Sequence, residues 1–131
     1  MFKDGFLYFI DFGLSTFYLN EKRQHIPDGD DGSHLTGTPK WMSYYIHTGH
    51  RASRRDDLIS LGYVFMFLLR GGNLPWEEDL YRAEKKELNV LISETNNDIL
   101  CNYFQLCYAL DFSEEPNYCA LKDILKNNIK E

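Results

Sequence analysis

The sequence is short of basic charge, of cysteine and of long apolar runs, and each shortage removes a class of function. Lys and Arg number 14 against 20 Asp and Glu, a net charge of -6, and no long basic block offsets the excess. Nucleic-acid binding rests on phosphate neutralisation by clustered Lys and Arg, so nucleic acid is not expected as a partner. The pair Arg54-Arg55 is too short for such a patch; one Arg is expected to pair with a carboxylate such as Asp56 and the other to be exposed. Cys101, Cys107 and Cys119 are odd in number and too scattered for a metal set, which implies reduced thiols in an intracellular protein. The longest near-apolar stretch, residues 58–69, is too short to cross a bilayer and contains Ser60. The N-terminus has no signal-peptide pattern. The expectation is a soluble protein of the cytoplasm or nucleus with no membrane partner.

What is present is ordinary for a globular domain: 44% hydrophobic and 26% charged residues. Residues 6–10, Phe-Leu-Tyr-Phe-Ile, form an apolar run behind the turn signal Asp4-Gly5, and read as the second arm of a hairpin. The first arm is expected before Met1, which would leave an open aromatic edge and points to a divided domain. From Asp11 to about His50 no period holds, and Asp28-Gly29-Asp30-Asp31-Gly32-Ser33 marks a polar excursion. A stretch that long without regular structure suggests a functional loop, with Trp41, Tyr44 and Tyr45 at its far end.

Helices are expected after it. The clearest covers residues 57–69, capped by Asp56 or Asp57 and stopped by Gly71-Gly72. It is apolar on nearly every side and so is expected to be enclosed. A short amphipathic helix is expected over 84–92. Another follows the cap Asn97-Asp98, with Ile99, Leu100, Tyr103, Phe104, Cys107 and Leu110 at helical spacing. Pro116 sits where the last helix could begin, and Tyr118, Leu121, Ile124, Leu125 and Ile129 mark its buried stripe.

Asp11-Phe12-Gly13 directly follows the strand. After it come His25-Ile26-Pro27, Leu35-Thr36-Gly37-Thr38, Ser53-Arg54-Arg55-Asp56-Asp57-Leu58, Ser60-Leu61-Gly62-Tyr63, Leu74-Pro75-Trp76 and, further on, Glu115-Pro116-Asn117-Tyr118. In that order and near spacing they resemble the casein kinase I family of Ser/Thr protein kinases, within the wider group that includes the vaccinia-related kinases. The resemblance runs over almost the whole chain. It implies a mainly α fold, the C-terminal (large) lobe of a protein kinase, with a short N-terminal β-strand, an activation segment and about four helices.

The same resemblance implies roles. Asp11 would hold Mg²⁺ on the ATP phosphates, with Phe12 packing inward and Gly13 letting the loop turn. Thr38 would bond to the catalytic Asp, beside Gly37. Asp57 would accept N–H bonds from the catalytic loop, although as a residue it could simply cap the helix. Lys40 would stand where the family reads an acidic or phosphorylated substrate residue, although on its own it reads as a solvated surface lysine. Leu80 replaces the second basic position of that site, and the preceding Glu77, Glu78 and Asp79 would repel a phosphopeptide. Trp41-Met42-Ser43-Tyr44-Tyr45 departs from the family, which has an aromatic residue followed by Ala-Ser-Ile-Asn.

The Gly-rich loop, the strand Lys and the catalytic loop would all lie before Asp11. None of His25, His34, His47 and His50 begins a His-Arg-Asp pattern, and Gly29, Gly32 and Gly37 make no Gly-x-Gly loop. The chain alone is therefore expected not to bind ATP well or to transfer phosphate. Its partners would be a protein substrate or the missing N-terminal half of a kinase. A non-catalytic, pseudokinase-like scaffold and a fragment with no function of its own stay open.

Overall fold

In this computed structural model, which describes residues 1–29 and 37–127, the chain begins with a tight hairpin. Asp4 and Gly5 take φ of 52° and 81°, the pair of positive values that a two-residue hairpin turn needs. Strand β1 (Phe2–Lys3) thereby pairs antiparallel with β2 (Phe6–Leu7). The first arm expected before Met1 is thus residues 2–3 themselves, and the strand ends at Leu7 rather than at Ile10. Aromatic side chains along and after it stand open, with Phe9 76% and Phe17 91% exposed. Further on, Leu19 bridges His25 around Asn20, whose side-chain oxygen accepts from the amides of Lys22 and Gln24 at 2.9 and 3.0 Å.

Helix α1 (Tyr44–His47) was not expected from the sequence; Ser43 caps it, its hydroxyl accepting from the Ile46 amide at 3.2 Å. Helix α2 (Arg54–Leu69) begins three residues earlier than expected. Ser53, not Asp56 or Asp57, is its N-cap residue, and the Asp56 carboxylate accepts from the Ser53 amide at 2.8 Å, the reciprocal bond of a capping box. One face of α2 carries the core: Ile59, Tyr63 and Met66 are fully buried, and Gly62 lies against Phe104 and Tyr103. Enclosure is not complete, since Leu68 and Leu69 are 64% and 63% exposed. Gly71 and Gly72 end the helix with φ of 74° and 96°, as the sequence implied.

The turn after α2 drives Trp76 into the core beside Tyr63, ring centroids 4.8 Å apart. In place of one helix over 84–92 the chain forms a 3₁₀ turn, Ala83–Lys86, and then α3 (Leu88–Glu94). Glu87 separates them in extended conformation, and Lys86 just before it is fully buried. Helix α4 (Asp98–Tyr108) is capped by Asn97 as expected and packs on α2. Helix α5 (Tyr118–Lys126) is capped by Asn117, so Pro116 precedes the cap instead of opening the first turn. Leu35, Thr36, His34, Ile129 and most of the polar excursion lie outside the described residues. The architecture is mainly α: five α-helices, with α2 carrying the core, and a two-stranded hairpin among the described residues. None of these helices is long and apolar enough to cross a membrane.

Both arginines of the pair are engaged. Arg55 is buried, its guanidinium 3.6 Å from the Tyr45 ring centroid, its Nη1 donating to the Leu110 carbonyl and its Nε 3.9 Å from Asp56. Arg54 is half-buried, lies over the Tyr18 ring and donates to the Ser113 carbonyl, so neither arginine is the exposed member that was expected. The three cysteines are free thiols; burial pushes Cys107 up to about 12, which keeps it protonated and inert.

Candidate functional site

Three separated stretches converge on one open cavity of about 480 Å³. The segment after the hairpin contributes Asp11, the turn before α1 contributes Thr38 and Trp41, and the first turns of α2 contribute Asp57 and Ser60. Asp11 sits at φ 60°, in the left-handed region that L-residues seldom occupy. Its carboxylate accepts from the Gly13 amide at 3.4 Å, and a Cβ on Gly13 would meet that same oxygen at 3.3 Å. A side chain at Gly13 would therefore crowd the carboxylate. Phe12, expected to pack inward, is 70% exposed.

Asp56 and Asp57 divide their work. Asp56 is buried and takes three hydrogen bonds, from the Ser43 hydroxyl, the Ser53 amide and the Ser53 hydroxyl. Asp57 faces the cavity and makes no side-chain hydrogen bond among the described residues. Partial burial raises its pKa, and the neighbouring Asp56 charge raises it further. The capping role that sequence alone allowed for Asp57 belongs to Ser53 and Asp56, which leaves Asp57 free to accept from another segment.

Thr38 exposes its side chain while its carbonyl accepts from the amides of Trp41 and Met42 at 2.9 and 3.1 Å. Gly37 before it has φ of 107°, a conformation that favours glycine. Lys40 is not a lone solvated lysine. Its Nζ is 2.6 Å from the Glu77 carboxylate and lies over the rings of Trp41 and Phe67, at 5.1 and 4.5 Å. It stands outside the cavity lining, as do Phe12 and Gly13.

Sequence reasoning missed Lys86. Its side chain has no exposure, and its ammonium donates to the carbonyls of Pro39, at 2.7 Å, and Met42. Burial draws its pKa down to about 7. Nearby, burial lowers His47 to about 4, with the Lys86 charge adding to the effect. Among the described residues neither ring nitrogen of His47 has a hydrogen-bond partner. A lysine in a charged run, Glu84-Lys85-Lys86-Glu87, reads as solvent-facing, and nothing in the pattern marks it as buried.

Among the described residues no three His, Cys, Asp or Glu side chains converge as a metal cage. The donor set fits a different arrangement: Mg²⁺ is commonly held by one or two carboxylates, with phosphate oxygens and water completing the octahedron. Asp11 can supply one such carboxylate.

No family model matches the chain. Over 95% of its length it is 39% identical, across 137 aligned residues, to casein kinase I homolog 2 of Schizosaccharomyces pombe. The chain spans about a third (31%) of the length of that relative.

Proposed function

The chain belongs to the casein kinase I family, its fold being that of the C-terminal lobe of a protein kinase, and from that we propose that it forms the activation segment and helical floor of a Ser/Thr kinase catalytic centre. The observation that carries this reading is the cavity: Asp11, Thr38 and Asp57, far apart in sequence, line one space, and the Asp57 side chain makes no hydrogen bond among the described residues. A catalytic loop seated in it would offer N–H groups to Asp57 and bring a catalytic Asp to the Thr38 hydroxyl. Phosphoryl transfer depends on positioning and charge neutralisation by several groups at once, and these residues provide only the lower half of that set. When bound, Mg²⁺–ATP would supply the phosphoryl group and neutralise its charge, with Asp11 as one metal ligand. The protein substrate would lie along residues 38–42. Residues 1–131 alone are therefore inactive.

Transfer from radiolabelled ATP to casein and to an acidic peptide tests the reading. The chain alone should give none. A protein joining it to a kinase N-terminal lobe and catalytic loop should transfer label and lose that activity on Asp11→Ala. A folded, ATP-binding joined protein without transfer would favour the second reading, a non-catalytic scaffold, to which Leu80 and the acidic trio Glu77, Glu78 and Asp79 lend support.

A further inference from the structure

The carbonyls of four consecutive residues, Pro39 to Met42, are each met by a side-chain donor from elsewhere in the chain. Lys86 Nζ donates to Pro39 at 2.7 Å and also to Met42, Trp76 Nε1 to Lys40 at 2.8 Å, and Ser60 Oγ to Trp41 at 2.7 Å. Within the turn itself the amides of Trp41 and Met42 both go to the Thr38 carbonyl. The turn is thus held by its main chain, and Lys86 grips its first and last carbonyls.

Placing a lysine there is costly. Lys86 has no exposure, and no carboxylate pairs with it among the described residues. A buried ammonium without a counter-ion is tolerated only where other groups solvate it. Here two carbonyls do so, with the ring faces of Trp76 and Tyr63 at 5.1 and 5.4 Å from Nζ. The Lys86 carbonyl is itself fixed by the Tyr108 hydroxyl at 2.7 Å. An apolar residue of similar size would avoid the desolvation of the charge but would leave two carbonyls of the turn unpaired.

We propose that Lys86 is a positioning residue, clamping the 39–42 turn so that Thr38 and Lys40 hold fixed places beside a protein substrate. Its geometry stands by itself; its functional meaning rests on the kinase reading above. Amide hydrogen exchange on the full chain tests it with two variants, Lys86→Met and the core variant Leu91→Ala, which removes another fully buried side chain. Lys86→Met should speed exchange at Trp41 and Met42 by about tenfold beyond any change in the α4 amides. Leu91→Ala should leave the ratio of turn to α4 exchange unchanged. Equal acceleration throughout in both variants overturns the proposal. If Lys86→Met does not fold, the wild-type chain decides: scalar couplings from the Lys86 ammonium to the Pro39 and Met42 carbonyl carbons support the clamp, and an ammonium without them overturns it. A clamped turn in a joined protein that never transfers phosphate would sink the kinase reading alone. A loose turn in an active one would sink the clamp alone.

Discussion

The Ser43 hydroxyl donates to the Asp56 carboxylate at 2.5 Å, joining the N-cap of α1 to the first turn of α2. Asp56 takes its other bonds from Ser53, so one buried carboxylate organises the starts of both helices. Asp56→Ala should cost about 3 kcal/mol, a lost cap together with buried donors left without their charged acceptor. Asp57→Ala should change stability by no more than about 0.5 kcal/mol, since that side chain makes no hydrogen bond among the described residues. Urea unfolding of the two variants separates them; the opposite order would return the cap to Asp57.

Stability should climb with pH through two windows. His47 titrates near 6.5 when unfolded and about 4 when folded, so the unfolded chain binds more protons between those values and folding gains as pH rises. Lys86 falls from 10.5 to about 7, and the same sign applies from about 7 to about 9, above which Cys107, raised from 9 to about 12, works against it. His47→Asn should flatten the lower rise in melting temperature and Lys86→Met the upper one. Parallel curves for wild type and variants would show that neither group carries the linkage.

Gly62 sits where α4 crosses α2. Its added Cβ would lie 2.5 Å from Phe104 Cε1 and 2.9 Å from Tyr103 Cε1. Alanine in an open helix would add about 1 kcal/mol of stability, whereas overpacking a core costs about 1–3 kcal/mol. Gly62→Ala should destabilise, with a net loss of about 1 kcal/mol by urea denaturation. A stabilised variant would mean that the two rings move aside freely.

The Lys40–Glu77 pair is partly exposed, so its own worth is below about 1 kcal/mol. Glu77 nevertheless occupies the ammonium that a phosphorylated peptide would need. Glu77→Gln should tighten phosphopeptide binding by about threefold at low salt, and Lys40→Glu should weaken it. Equal affinities across wild type and both variants would remove Lys40 from the substrate-facing surface.

The legible parts of the fold were those written in local chemistry. Asp4-Gly5 marked the hairpin, Gly71-Gly72 the end of α2, and Asn97 the start of α4. The start of α2 was misjudged because three candidate caps, Ser53, Asp56 and Asp57, stand close together, and only the fold shows which amides each one meets. Helix α1 has too few residues to display a period. The order of the motifs singled out Asp11, Thr38 and Asp57 as candidates, and the cavity that they share required the tertiary structure. Lys86 and the Glu77 partner of Lys40 were illegible for one reason: a long charged side chain looks alike in sequence whether it reaches into water, a carboxylate or a pair of carbonyls.

Anchoring through carbonyls also sets how residues 39–42 can change. Every residue type presents the same carbonyl oxygen, so Lys86, Trp76 and Ser60 hold the turn whatever side chains it bears. Substitution there is limited by the burial of Met42 and the packing of Trp41 on Phe67, not by the turn's own shape. Divergence from the family's sequence around Trp41 and Met42 is thus compatible with an unchanged backbone path. The donors have no such freedom. Drift in this part of the protein is expected to concentrate in the turn and to spare the three residues that hold it.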